Sequence, residues 1–428
     1  MALSPLIVTE HVVDCQHIRE YPRATKEGND VLKLAIKRYT PRSNPNPQPG
    51  DVTVIGAHGS GFPKELYEPI WEEILSRLST QGIRIRSIWI ADTANQSASG
   101  ILNEENLGND PSWFDHARDL LHMVNIFSAD MPRPIVGIGH SLGAGQLVLL
   151  SLLHPRLFTS LVLMEPVLEK NIHAAKGPIF VKLSLDREDI WRSRSEAAKY
   201  FKRLFHKWDP RVLERWLEHG LRDVRPVIDL TKAEGSVTLT TSKHQEVVQY
   251  LRPNFQKKRP LKLDKDLGAQ ELHDPVFYPD IIGPPHAIYP FYRFEPILAW
   301  RFLKHVRPSV LYLFGENSPV STPELRAEKL ERTGKGIGGS GGYKNNRVKE
   351  VIFPGAGHHL PFEAVEGVSD AASGWLRQEM VRWKEAEVKI DMGWLELPRE
   401  ARTSISHDWH IYLETYLDRR KSQQGSKL

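Results

Sequence analysis

Residues 134–155 read PIVGIGHSLGAGQLVLLSLLHP, and this stretch decides the fold. Its first part, PIVGIGHS (134–141), is a short apolar run, the pattern of a strand buried on both faces of a parallel sheet. Its second part, LGAGQLVLLSLLHP (142–155), is rich in helix formers and stops at a proline. Between them lies Gly139-His140-Ser141-Leu142-Gly143, a G-x-S-x-G pentapeptide. A sharp strand-to-helix turn projects the serine from the sheet, and larger side chains in place of the glycines would collide in so tight a turn. The helix N-terminus then offers N–H groups and the positive end of its dipole to a developing oxyanion. A serine here can also be a plain helix N-cap. The strand directly before it and the helix directly after it favour a nucleophile.

Working outward, short β-rich runs alternate with helical patterns. VLKLAIKRYTP (31–41), VTVIGAHG (52–59), IRIRSIWIAD (83–92) and SLVLMEP (160–166) read as strands, as do SVLYLFG (309–315) and RVKEVIFPG (347–355). KELYEPIWEEILSRLS (64–79), WFDHARDLLHMVNIF (113–127), TPELRAEKLERT (322–333) and the region 366–386 have helical spacing. The alternation predicts an α/β class with a mostly parallel central sheet flanked by helices. The rhythm breaks over 168–305, which holds helical stretches such as 195–208 and 211–221 and a proline-rich, aperiodic 252–292. The reading is a core from 1–167 and 306–390, a lid inserted over 168–305, and a charged extension over 391–428. Such an insertion covers the carboxyl ends of the strands, where open α/β sheets bind ligands.

A serine nucleophile needs a base, an acid and an oxyanion hole. His58-Gly59-Ser60-Gly61 follows the strand at 52–57, and its glycines let backbone approach a substrate. The expected oxyanion donors are the backbone N–H groups of Ser60 and Leu142, with His58 a turn-stabilising residue. The base is expected after the last core strand, in Gly357-His358-His359, and His358 is favoured over a packed His359. The acid is the harder assignment. The next-to-last strand runs into Gly315-Glu316-Asn317-Ser318, so serine occupies the usual aspartate position of a Gly-x-x-Asp pattern. Glu165, at the end of the strand after the nucleophile helix, can reach the same histidine, and it is preferred to Glu316.

Other chemistries find little footing. Gly334-Lys335-Gly336-Ile337-Gly338-Gly339 spells G-x-G-x-x-G but follows a helix, so the dinucleotide reading fails its context. No P-loop, H-e-x-x-H or clustered Cys/His pattern occurs, and no cofactor or metal is expected. With 57 basic and 53 acidic residues the charge is too balanced for a nucleic-acid binder. No apolar run reaches transmembrane length, and the N-terminus lacks the charged start and long apolar core of a secretory signal. The single cysteine, Cys15, rules out an intramolecular disulfide. Lys199, Lys202, Arg203, Lys207 and Lys257-Lys258-Arg259 give the insertion a basic cast beside Trp191, Trp208 and Trp216. Solvated helix faces over a lid core explain this. A site for an anionic head group with a long apolar tail, the character of an acyl-CoA, is the sharper reading. Ser426-Lys427-Leu428 is the peroxisomal address when it closes a chain, and it predicts delivery to the matrix by the import receptor.

Across nearly its whole length the chain resembles the fungal peroxisomal α/β hydrolases of secondary-metabolite pathways, those of toxin and mycophenolic acid biosynthesis. The resemblance is carried by HIREYP (17–22), PKELYEPIWEE (63–73), DHARDLL (115–121) and MPRPIVGIGHS (131–141). It continues through HPRLF (154–158), GIGGSGG (336–342) and FPGAGHHLPF (353–362). It implies a Ser–His–acid triad on Ser141 and His358, with the acid at Glu165, where the family member for mycophenolic acid carries aspartate. It also implies a lid and admits a homodimer. The expected activity is hydrolysis of an acyl-CoA thioester or related ester through an acyl-enzyme. A lipase or carboxylesterase acting on neutral esters is the alternative, and an inactive hydrolase fold serving as a binding protein is a second.

Overall fold

The computed structural model describes residues 4–171, 176–224, 235–255, 276, 278–281 and 290–425. The chain divides into two compact units, Met1–Glu379 and Met380–Leu428. The first is built on an eight-stranded sheet: β1 (Leu6–Asp14), β2 (Lys33–Pro41), β3 (Val52–Ala57), β4 (Ile85–Ala91), β5 (Ile135–His140), β6 (Ser160–Met164), β7 (Ser309–Gly315) and β8 (Val348–Phe353). Their spatial order is β1-β2-β4-β3-β5-β6-β7-β8. β1 and β2 pair antiparallel, as do β2 and β4, and every later neighbour pairs parallel.

The inner parallel strands β3, β5, β6 and β7 are largely apolar because helices cover both of their faces. In β3, β5, β6 and β7 every residue is buried. The helices α1 (Glu68–Thr80), α2 (Trp113–Ile126) and α3 (Leu142–Leu153) connect the strands of the first half. α2 starts on a capping box in which Ser112 and Asp115 bond each other's backbone N–H groups. α3 is the apolar helix of the opening motif, and its Leu147 and Val148 are fully buried in the main core.

β1 has no counterpart in the sequence reading. It is a sheet edge with most side chains exposed, so it carries little apolar alternation to betray it.

Between β6 and β7 the chain inserts α4 (Gly177–Asp186), α5 (Arg194–Leu204), α6 (Pro210–His219) and α7 (Lys243–Tyr250). A small antiparallel sheet joins them, with Val237–Leu239 between Ile190–Trp191 and Leu221–Asp223. Trp191, Trp208 and Trp216 are buried, while Lys199, Lys202, Arg203 and Lys207 are exposed. Lys257-Lys258-Arg259 and the Ser426-Lys427-Leu428 tripeptide lie outside the described residues. α8 (Glu295–Phe302) leads back into the core, α9 (Pro323–Arg332) joins β7 to β8, and α10 (Val365–Asp391) follows β8.

Register settles where chemistry can occur. His140 pairs with Met164 across β5 and β6, and Met164 pairs with Leu313 across β6 and β7. The carboxyl ends of β3, β5, β6, β7 and β8 therefore finish along one rim, and the residues that follow each strand meet there.

Candidate active site

The turn from β5 into α3 holds Ser141 at φ 54°, ψ −117°, a conformation a non-glycine residue enters only under local constraint, at about 1–3 kcal/mol. Its neighbours impose that constraint. A Cβ on Gly143 would lie 2.4 Å from the Ala57 carbonyl oxygen, and one on Gly139 would lie 2.8 Å from Ala144 Cα. The glycines thus let α3 press against β3 and β5. Ser141 makes no cap bond to its own helix, so the plain N-cap reading fails. Its Oγ lies 2.9 Å from His358 Nε2 instead.

His358 stands in the loop after β8, and its Nδ1 is 3.2 Å from Glu165 Oε2. Glu165 follows β6 with φ 50° and is completely buried. Its carboxylate is held on every side. Oε1 accepts the Gly315 N–H at 2.6 Å, and Oε2 accepts the hydroxyls of Ser318 and, at 3.2 Å, Ser321. Ser318, in the usual aspartate position, therefore serves the carboxylate that the neighbouring strand supplies. Glu316 is exposed, and its carboxylate accepts the Gly355 N–H at 3.0 Å, away from the histidine ring.

The loop after β3 is pinned residue by residue. The Gly59 N–H donates to Tyr67 Oη at 2.8 Å, and the Gly61 N–H donates to Gln96 Oε1 at 2.8 Å. His58 accepts the Thr93 N–H at 2.9 Å through Nε2, as a turn-stabilising residue does. Between these anchored amides, the Ser60 N–H donates to no acceptor among the described residues, and neither does the Leu142 N–H. Both residues line one cavity with Ser141 and His358.

The α/β hydrolase family model matches residues 54–371. The chain belongs to the α/β-hydrolase family. It is 38% identical over 447 residues to the type I acyl-CoA thioesterase mpaH of Penicillium brevicompactum, covering 99% of each chain. It is 40% identical over 409 residues to the mpaH thioesterase of Penicillium roqueforti, covering 90% of this chain and 91% of that one. Among solved structures it resembles the peroxisomal α/β-hydrolase Lpx1 of Saccharomyces cerevisiae, with TM-score 0.65, 18% identity, and 98% and 99% of the two chains covered. The chain is thus a hydrolase.

Behind Ser141 and His358 of this α/β hydrolase runs a buried bridge that the sequence reading missed. Tyr67 Oη, which receives the Gly59 N–H, lies 2.8 Å from His140 Nδ1. His140 Nε2 lies 3.0 Å from the His358 carbonyl oxygen. The Gly59 donation uses the phenolic oxygen as acceptor, so its own proton goes to Nδ1 and Nε2–H donates to the carbonyl. Burial keeps the His140 ring neutral, holding its pKa well below the usual histidine value. His140 stands inside the G-x-S-x-G motif, yet nothing in its type announced this role. Tyr67, 73 residues earlier, offered no signal.

His359 packs edge-on to Phe62 and accepts the Trp208 indole N–H at 3.2 Å. Burial lowers its pKa to about 3.

The cavity over Ser141 measures about 370 Å³. The inserted helices supply Phe180, Leu183, Leu204 and Tyr250 to its wall, and the core supplies Phe62 and Trp113. Burial pushes the Glu169 carboxyl in this wall up to about 7. Behind it, burial lowers the Lys329 amine to about 8, against the pull of Glu165 and Glu169. Lys329 donates to the carbonyls of Pro166 at 3.0 Å and Val320 at 3.3 Å, tying α9 to the chain just after Glu165. Among the described residues no group of His, Cys, Asp or Glu could hold a metal ion, and no helix is long and apolar enough to cross a membrane.

Proposed function

We propose that this hydrolase cleaves acyl-CoA thioesters through a Ser141–His358–Glu165 triad, in the peroxisome and in the service of a fungal secondary-metabolite pathway. The observation that carries the catalytic reading is the unbroken hydrogen-bonded line from Ser141 Oγ through His358 to Glu165 at the floor of an apolar cavity. Near-full-length similarity to two fungal acyl-CoA thioesterases supports the thioester as substrate. The Ser426-Lys427-Leu428 tripeptide supports the location.

His358 Nε2 takes the proton of Ser141 as Oγ attacks the thioester carbonyl carbon. Negative charge gathers on the former carbonyl oxygen, and the idle N–H groups of Ser60 and Leu142 receive it, each worth about 3 kcal/mol in the transition state. The carbon–sulfur bond breaks, and the departing thiolate takes the proton from His358. Water then enters, gives a proton to His358 and attacks the acyl-enzyme, releasing the acid and restoring Ser141. Throughout, Glu165 balances the imidazolium charge and holds Nδ1 in its donor tautomer.

The test is thiol release from a series of acyl-CoAs, compared with release of nitrophenol from nitrophenyl esters. Thiol release should dominate and vanish in Ser141→Ala. Preference for nitrophenyl esters would make the protein a carboxylesterase. Failure of a fluorophosphonate probe to label Ser141 would make it an inactive binding protein.

A further inference from the structure

The inserted helices place a charge-compensated guanidinium in the wall of the cavity that holds Ser141. Arg187, just after α4, pairs through Nη2 with Glu246 Oε2 at 2.5 Å. Glu246 is otherwise filled, because its Oε1 accepts the hydroxyls of Ser184 at 2.7 Å and Tyr250 at 3.2 Å. The pair stands beside the oxyanion loop, since a Cβ on Gly61 would meet the Glu246 carboxyl carbon at 3.1 Å. Arg187 still has N–H groups to give. Its Nε has no acceptor and is closed off, and Nη1 donates to nothing among the described residues. Tyr200, on α5, lines the same cavity close enough to influence Arg187 electrostatically, and its hydroxyl also has no partner among the described residues.

Nη1 and the Tyr200 hydroxyl are thus two donors without a protein acceptor among the described residues, in a mostly apolar wall, and an oxygen that a substrate brings into the cavity can accept from them. Charge decides which oxygen. Glu246 already neutralises Arg187, and Glu169 lines the same cavity, so a substrate carboxylate meets no uncompensated positive charge here. A neutral acceptor fits.

We infer that Arg187 and Tyr200 form a polar subsite that receives a neutral oxygen of the substrate, a hydroxyl or carbonyl, beside the scissile bond. This rests on the thioesterase reading above. The oxygen can come from the acyl chain or from the pantetheine amides of coenzyme A, and the experiment separates the two.

In a Ser141→Ala background, which cannot turn over, the Kd of decanoyl-CoA and of a set of monohydroxydecanoyl-CoAs is measured by calorimetry. The measurement is repeated with Tyr200→Phe, which removes only a hydroxyl, and with Arg187→Lys, which keeps the Glu246 ion pair but not Nη1. An acyl-chain oxygen predicts roughly tenfold weaker binding of at least one hydroxydecanoyl-CoA, with decanoyl-CoA unchanged. A pantetheine oxygen predicts an equal loss for both kinds of ligand. Unchanged Kd values for all ligands in Tyr200→Phe and Arg187→Lys overturn the subsite. If no CoA ester binds, the thioesterase reading fails, and the same ratio measured on the p-nitrophenyl esters of the two kinds of acid decides the subsite.

Discussion

The Ser318 hydroxyl donates to Glu165 Oε2, the same oxygen that lies 3.2 Å from His358 Nδ1. The serine at the end of β7 and the glutamate at the end of β6 thus address one point beside the imidazole. If Glu165 is the acid of the proposed triad, this relationship predicts that a carboxylate at either position can serve His358. Glu165→Gln should lower kcat about 10⁴-fold, by analogy with amide replacement of a triad acid, because the tautomer and the charge balance are both lost. Adding Ser318→Asp to that variant brings a carboxylate back beside Nδ1, and it should recover at least tenfold in kcat. Steady-state thiol release from acyl-CoA measures both. Full activity in Glu165→Gln would remove Glu165 from the mechanism.

Much of this candidate site is legible in the sequence, for a physical reason. The elbow needs glycines at fixed offsets, a buried strand before it and a helix after it, and all of these leave local marks around Ser141. His358 follows the last strand directly, so chain order alone points to it. The support for Glu165 was hidden because it is tertiary: Gly315, Ser318 and Ser321 are at least 150 residues away along the chain. β1 was hidden for the opposite reason, since an exposed edge strand need not alternate. The polar wall of Arg187 and Tyr200 depends on helix packing in an insertion with no strict sequence rhythm.

Tyr67, through His140, bridges the loop of Gly59 and Ser60 to the loop that bears His358. Tyr67→Phe removes the hydroxyl and leaves the Gly59 N–H and His140 Nδ1 without partners, a stability cost of about 1–3 kcal/mol. If the bridge positions Ser60 and His358, kcat on acyl-CoA should fall about tenfold while KM stays within about twofold, the pattern of an interaction used in the transition state. A lowered Tm with unchanged kcat would reduce the bridge to a structural role.

Gly143 is where α3 meets the loop after β3. A methyl group there would sit 2.4 Å from the Ala57 carbonyl oxygen and 2.5 Å from that of His58, and backbone atoms cannot step aside cheaply. Gly143→Ala should cost about 3 kcal/mol and shift the loop of Gly59 and Ser60 away from Ser141. Thermal melting together with the rate of fluorophosphonate labelling reads both effects. A variant that melts and labels like the parent would mean that the contact relaxes freely.

Acid should unfold this protein through its buried histidines. Burial holds His58, His116, His140 and His359 neutral in the fold, with pKa values below the ordinary histidine value of 6.5 and His359 at about 3. The unfolded chain binds these protons near pH 6.5 and the folded chain does not, so the unfolded state gains protons first as pH falls. Stability from each group is therefore complete above about pH 6.5 and declines below it, by about 1.4 kcal/mol per pH unit until the folded pKa is reached. His116 is the cleanest probe, because both ring nitrogens are buried without a hydrogen-bond partner. His116→Leu removes one titrating group and strands no partner. Its Tm should equal or exceed that of the parent at pH 7.5 and gain on it by roughly 2 °C for each pH unit below 6.5. Parallel Tm profiles from pH 7.5 to 5 would show that His116 takes no part in the acid transition.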